Sequence, residues 1–479
     1  MGFGDKLFKG TAWSALNRIS TQATQFLLGI ILARILSPEE YGVLAILMVF
    51  IIISQVFVDS GFTNALIHKQ DRDEDDNSTV FLFNLGIALA CYAILWFSAP
   101  FIADFYEVPL LVDYLRVLAI TLIINASFAV PTTLLTILLD FKTLTKINVI
   151  SVVISGLIAI YMAYNGFGVW SLVWQSLIRA ILAAFLTWIY SRWKPIWKFS
   201  KTSFKGLFSY GSKLLVSALL ANIFSNLNAI LIGKYLSANA LGFFSRGVQF
   251  STVVYSLFSG TLNSVLLPGL APFQDDTKLL VSHSKKILKI SGMVVLPILL
   301  GLAVVAEPLV RFVLTEKWML AVPVMQIFCV ARSITILSGL NLNLLYVIGR
   351  TDLVLRQQYL GIAIRATLVI IALPYGIVMI ALAELLATGI HFFINSYYVG
   401  KLLKYNAFQQ IIDIRWILLA NMIMVIFSLL LMQANFSDLL AIIIIPIAAG
   451  ILYWLLIRFF PIPEYKLTLS KVTNLRKNL

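Results

Sequence analysis

"ILARILSPEEYGVLAILMVF" (31–50) and "LIGKYLSANALGFFSRGVQF" (231–250) read as one pattern written twice, 200 residues apart. Arg34 aligns with Lys234, Leu36 with Leu236, Ser37 with Ser237, Gly42 with Gly242 and Phe50 with Phe250. Each copy holds the end of one apolar run, a short polar break and the start of the next run. A weaker echo sets "YNGFGVWSLV" (164–173) against "ALPYGIVMIAL" (372–382). Self-similarity at a fixed offset marks an architectural unit, so the chain divides into two related halves.

Outward from the repeat, apolar runs continue along the chain. Of 479 residues, 60% are hydrophobic and only 12% charged, which excludes a soluble globular domain and points to a polytopic membrane protein. Windows of roughly 20 apolar residues number about fourteen. Six spans separate the repeated elements, an even number, so the halves run in the same direction. The expected fold class is an all-α polytopic membrane protein of about fourteen transmembrane helices. Two parallel-repeat six-helix lobes occupy 1–191 and 207–404, and 405–479 adds two helices without counterparts and a basic tail. Between the lobes, "RWKPIWKFSKTSFKG" (192–206) interleaves aromatic and basic residues, as expected of an amphipathic linker lying on the inner leaflet.

The net charge of +14 follows topology. Loops after even-numbered spans carry the cations, such as Lys69 and Arg72, Lys142 and Lys146, Lys401 and Lys404; the opposite loops offer only Arg34, Lys234, Arg311 and Lys317. This is the positive-inside distribution, with both termini cytoplasmic, and it gives no reason to expect nucleic acid as a partner. "MGFGDKLFKG" (1–10) lacks a cleavable-signal pattern, so the first helix is expected to be retained. Cys91 and Cys329 fall in apolar spans and are expected to be free.

Polarity inside the spans carries the functional signal. In the first span Ser14, Asn17, Arg18, Thr21, Gln22 and Gln25 follow a spacing of i, i+3, i+4, i+7, i+8 and i+11, one face of a helix. Such a stripe cannot face lipid; it either bonds to neighbouring helices or lines a cavity. Arg18, Arg179, Lys213, Arg246, Arg332 and Arg365 also lie within spans, and a central arginine costs roughly 3 kcal/mol on insertion scales. Lys213 and Arg246 are near enough to helix ends to snorkel. Against these stand two acids, Asp59 and Glu384, candidates for a coupling-ion site or an ion pair. A cavity with this balance suits an anion, and guanidinium forks match phosphate oxygens. Arg18, Gln22, Gln25, Arg179, Arg332 and Arg365 are therefore the candidate substrate-binding residues.

Catalytic constellations do not emerge. His68 and His283 fall in expected loops and His391 in the twelfth span, spaced for no metal site. There is no Walker A sequence, and "GFGVWS" (166–171) reads as a turn between spans. Neither a catalytic residue, a metal nor a cofactor is expected.

Four motifs carry a family resemblance. "LARILSPEEYG" (32–42) with "GFTNALI" (61–67), "LLPGLAPFQDD" (266–276) and "EKWMLAVPVMQIF" (316–328) are similar to the signature of Wzx-type polysaccharide flippases. These form the polysaccharide transport branch of the multidrug/oligosaccharidyl-lipid/polysaccharide exporter superfamily, and the resemblance spans essentially the whole chain. It implies two lobes around a central cationic cavity and alternating access. The implied substrate is an undecaprenyl-pyrophosphate-linked oligosaccharide repeat unit, moved from the cytoplasmic to the outer leaflet of the bacterial inner membrane. Membrane lipids, the polysaccharide polymerase and the chain-length machinery are the implied partners. The motifs track helix ends and packing, so the arginine assignments rest on position. A peptidoglycan-precursor flippase and an ion-coupled multidrug exporter share the architecture; an exporter of cations would want the opposite charge balance. A membrane enzyme would want carboxylates or histidines on a large loop, and no loop here is long enough to supply them.

Overall fold

The computed structural model describes residues 3–59, 61–69, 71–434 and 436–465. The described chain is helical. In order, the helices are α1 (Phe3–Ile35), α2 (Pro38–Asp59), α3 (Phe62–His68), α4 (Glu74–Tyr106), α5 (Leu111–Ile137), α6 (Phe141–Tyr164), α7 (Val169–Ser191), α8 (Lys201–Ser225) and α9 (Leu227–Tyr235). Then come α10 (Ala238–Leu270), α11 (Thr277–Val304), α12 (Ala306–Leu314), α13 (Val322–Val347), α14 (Thr351–Ala372), α15 (Ile377–Leu403), α16 (Ala407–Met432) and α17 (Asp438–Phe459). Among the described residues, eleven helices are long and apolar enough to cross a membrane, and Ile19–Ile35 is a shorter apolar segment. Large apolar side chains on the outside, such as Phe97 and Phe101 at 75% exposure and Phe459 at 82%, would be a liability in water. They suit a surface solvated by lipid. The chain is a multi-pass all-α membrane protein, as its composition indicates.

Helix boundaries have local causes. Asp73 and Asp76 form a capping box at the start of α4: the Asp73 carboxylate accepts from the Asp76 amide at 2.8 Å and Asp76 accepts from the Asp73 amide at 3.1 Å. Asn406 and Gln409 do the same for α16. Gly166 (φ +78°) and Gly168 (φ +52°) make the turn from α6 to α7, the role read for "GFGVWS". Asp276 caps α11 at Thr277, so the helix starts well before its apolar stretch. His283, expected in a loop, therefore sits inside α11, stacked on Phe273 at 4.3 Å between ring centroids. His68 likewise closes α3. The reasons differ: α11 begins at its Asp276 cap, ahead of the apolar window that reveals the span, whereas α3 is a separate short helix after Gly61 (φ +70°).

By internal packing the chain forms two compact units, Met1–Gly242 and Phe243–Leu479. In the first, α4 packs on α5, α1 on α6, α6 on α7, α7 on α5, and α2 on both α4 and α5. Residues 192–200 run as an extended strap across the start of α4. Trp193 Nε1 donates to Glu74 at 2.8 Å, the Ile196 and Ser200 amides donate to Ser78 and Thr79 at 3.0 Å each, and Lys198 pairs with Asp75 at 2.5 Å. That carboxylate holds the Lys198 ammonium above the ordinary lysine pKa. From Lys201 the chain is helical again as α8, which packs on α2, α3 and α4.

Within this unit the repeat shows itself as a reciprocal contact. A Cβ on Gly42 would collide with the Ala238 carbonyl, and a Cβ on Gly242 would collide with the Pro38 carbonyl. The two four-residue steps, 38–42 and 238–242, thus press backbone on backbone as a small-xxx-small crossing.

In the second unit α13 is central, packed on α11, α14 and α15, while α16 packs on α11 and α17. The helices without counterparts are joined to it by buried polar bonds. Asn341 and Gln410 exchange hydrogen bonds at 3.1 and 2.7 Å, and the Tyr453 hydroxyl donates to the Met293 carbonyl at 2.9 Å.

Candidate functional site

In the first unit the site begins with Arg179 on α7, a half-buried guanidinium in the middle of a span. With the Gln25 amide oriented so that its oxygen faces the guanidinium, Gln25 on α1 accepts from both Arg179 Nη1 and Nη2, the latter at 3.1 Å. Arg179 forms no ion pair among the described residues. A neutral amide satisfies part of its donor fork and leaves its charge uncompensated, the state in which a guanidinium attracts an anion.

The rest of the α1 stripe divides. The Asn17 carboxamide oxygen accepts from Thr21 at 3.2 Å and from Asn148 of α6 at 3.3 Å, so Asn17 and Thr21 bond α1 to α6. Gln22 is half-buried on the same helix. The Arg18 side chain lies outside the described residues, as do those of Ser14 and Lys213. On α2, Gln55 donates to Asp59 at 2.9 Å and accepts from Asn125 of α5 at 3.2 Å, so Asp59 ends a short amide relay.

In the second unit Arg332, Arg365 and Glu384 come from α13, α14 and α15. Arg365 pairs with Glu384 at 3.2 Å; the arginine side chain is 40% exposed and the glutamate 7%. The Arg332 guanidinium carbon lies over the Tyr255 ring at 4.9 Å and near the Phe328 ring at 5.9 Å, with Thr252 in long contact at 3.5 Å. Both cations are thus engaged, one by a carboxylate and one by aromatic faces.

Beside Arg365 lies a cavity of about 460 Å³, walled by Tyr255, Ser338, Asn343, His391 and Asn395 among others. Asn395 donates to Ser338 at 2.9 Å, while its own carboxamide oxygen and His391 Nε2 have no partner among the described residues. Gly361 makes room for the imidazole: a Cβ there would lie 2.7 Å from His391 Nε2. This cavity was not legible from the spans' charges. Its signal was a second polar stripe, Glu384, Thr388, His391 and Asn395 at i, i+4, i+7 and i+11 along α15, the periodicity that marks α1. Among the described residues no three His, Cys, Asp or Glu side chains converge to hold a metal.

The sequence-read candidates therefore fall into two groups. Gln25 and Arg179, distant in sequence, meet in the first unit, and Arg332, Arg365 and Glu384 lie near one another in the second. Gln22 is half-buried on α1, and Asp59 accepts from Gln55 on α2.

Known proteins resemble the chain along most of its length. The chain is 25% identical over 473 residues to the teichuronic acid biosynthesis protein TuaB of Bacillus subtilis, covering 98% of this chain and 97% of the relative. It is 23% identical to the lipopolysaccharide biosynthesis protein WzxC of Escherichia coli, over 74% of this chain and 72% of that one. In fold it is similar to the lipid II flippase MurJ in an inward closed conformation, with a TM-score of 0.74 at 18% identity over 94% of this chain and 98% of the other. An inward-facing MATE family multidrug resistance transporter follows at a TM-score of 0.61 and 16% identity, over 82% and 99%. At those identities the structural likeness speaks for the fold alone. A family model described as "Polysaccharide biosynthesis protein" matches residues 31–323, well over half the chain, and on that match the chain belongs to the polysaccharide biosynthesis protein family.

Proposed function

We propose that this protein is a flippase for a surface-polysaccharide precursor. Its substrate is an oligosaccharide repeat unit on undecaprenyl pyrophosphate, carried from the cytoplasmic to the outer leaflet of the bacterial inner membrane by alternating access. The observation that carries the reading is Arg179, a guanidinium in mid-span whose partner is a neutral amide. A membrane protein bears the insertion cost of such a charge where it serves a ligand or pathway, and a pyrophosphate supplies the oxygens it lacks. Relatives named for teichuronic acid and lipopolysaccharide biosynthesis support the precursor class. In this reading Arg179 and Gln25 take the pyrophosphate, with Arg18 and Gln22 on the adjoining turns of α1. Asp59 is the candidate for a coupling ion, since Glu384 is engaged by Arg365. The basic loops support cytoplasmic termini for the flippase.

Native mass spectrometry of the gently purified protein tests this. A co-purified polyprenyl-pyrophosphate glycan, lost in Arg179→Ala, is the expected result. A bound peptidoglycan precursor would transfer the protein to that sister function. A protein that instead binds cationic drugs would overturn the flippase reading.

A further inference from the structure

The cavity of the second unit has the wrong chemistry for a pyrophosphate and the right chemistry for a sugar. Its one cation, Arg365, is paired with Glu384, and its neighbour Arg332 has its guanidinium over aromatic rings. What else lines the space is uncharged: the amides of Asn343 and Asn395, the Ser338 hydroxyl, the rings of Tyr255, Tyr346 and His391, and several leucine and isoleucine side chains. Pyranose rings present apolar C–H faces and a rim of hydroxyls that both donate and accept. Aromatic rings suit the faces, while side-chain amides and hydroxyls, which also donate and accept, suit the rim. At about 460 Å³ the space is of ordinary small-ligand size.

We propose that this cavity is the carbohydrate pocket of the flippase: it receives a sugar ring of the lipid-linked head group and sets which glycans are accepted. The inference rests on the flippase reading above and deepens it. Glycan selection then belongs to α13 and α15, whose stripes of Thr335, Ser338, Asn343 and Thr388, His391, Asn395 wall the pocket, and not to the polar stripe of α1, part of which bonds to α6.

Gly339 offers a clean test. It lines the cavity on α13, and a Cβ there would have nothing within 4 Å, so a side chain added at this position starts in open space. In full-length protein reconstituted in nanodiscs, binding is measured for two probes: bare undecaprenyl pyrophosphate, and undecaprenyl pyrophosphate carrying the host's own repeat unit. Wild type should prefer the glycan-bearing lipid. Gly339→Leu should remove that preference, weakening the glycan-bearing probe about tenfold, or about 1.4 kcal/mol, down to the affinity of the bare lipid. Gly339→Ala should give a smaller loss in the same direction. Equal weakening of both probes, or no change in either, in a Gly339→Leu variant of wild-type thermal stability would overturn the pocket assignment and leave the flippase reading standing. Failure of wild type to bind either lipid would overturn the flippase reading and the pocket with it.

Discussion

The arginines of the two units were alike in the sequence and differ in the structure. Arg179 faces a carboxamide and, among the described residues, no carboxylate within ion-pairing distance; Arg365 has its carboxylate at 3.2 Å and Arg332 lies against rings at 4.9 and 5.9 Å. A guanidinium in a membrane span is expensive in either setting. Compensation by Glu384 turns the charge into a structural tie, because the pair presents little net field to a ligand. Partial satisfaction by Gln25 keeps the field and still fixes the fork. Sequence polarity therefore counts cations, whereas the structure shows which of them meet a carboxylate.

Substitutions can break that contrast. Arg179→Ala should have the largest effect, lowering transport about a hundredfold or more, equivalent to roughly 2.7 kcal/mol of lost anion binding, in a vesicle assay of lipid-linked oligosaccharide translocation. Full activity in a well-expressed variant would remove Arg179 from the mechanism. Next, Gln25→Glu gives Arg179 the partner that Arg365 already has. It should cut transport about tenfold while raising thermal stability or leaving it unchanged; unaltered transport would mean that the uncompensated charge is incidental. Glu384→Gln makes the opposite exchange and frees Arg365. It should destabilise the protein by about 1–3 kcal/mol, read by thermal unfolding in detergent, with the loss largely recovered when Arg365 is also replaced by Gln. Stability equal to wild type in the single variant would show that the pair is not a tie. The smallest effect is expected for Asn17→Ala, which removes the acceptor for Thr21 and Asn148. About 0.6 kcal/mol of stability and little transport should be lost, and a transport defect as severe as that of Arg179→Ala would return the whole α1 stripe to the substrate path.

The reading of α1 and α15 shows how far pattern carries. Six polar residues along α1 were visible as one face, and the face proved to serve two ends: Asn17 and Thr21 bond to α6, while Gln25 reaches α7. An equivalent stripe on α15 was passed over because only Glu384 in it is charged, and the cavity it lines with His391 and Asn395 was missed with it. The Arg365–Glu384 pair stood closer to the surface of the sequence. The two residues flank the Gly376 turn (φ +89°) at similar distances, which puts them at similar depth on neighbouring antiparallel helices.

Composition, spacing and loop charge by themselves determined that this chain spans a membrane many times, that its halves repeat, and which helix faces are polar. Those properties follow from the free energy of transferring each residue into hydrocarbon and from helical periodicity, both of them local. Gly42 and Gly242 were matched by an offset of 200, but only the packed chain placed each against the other's repeat, at Ala238 and Pro38. The partner of each buried charge was also decided in three dimensions. Gln25 meets Arg179 across 154 positions of sequence and two different helices, and whether a cation ends beside an amide, a ring or a carboxylate is set by how helices pack, not by the residues that flank it.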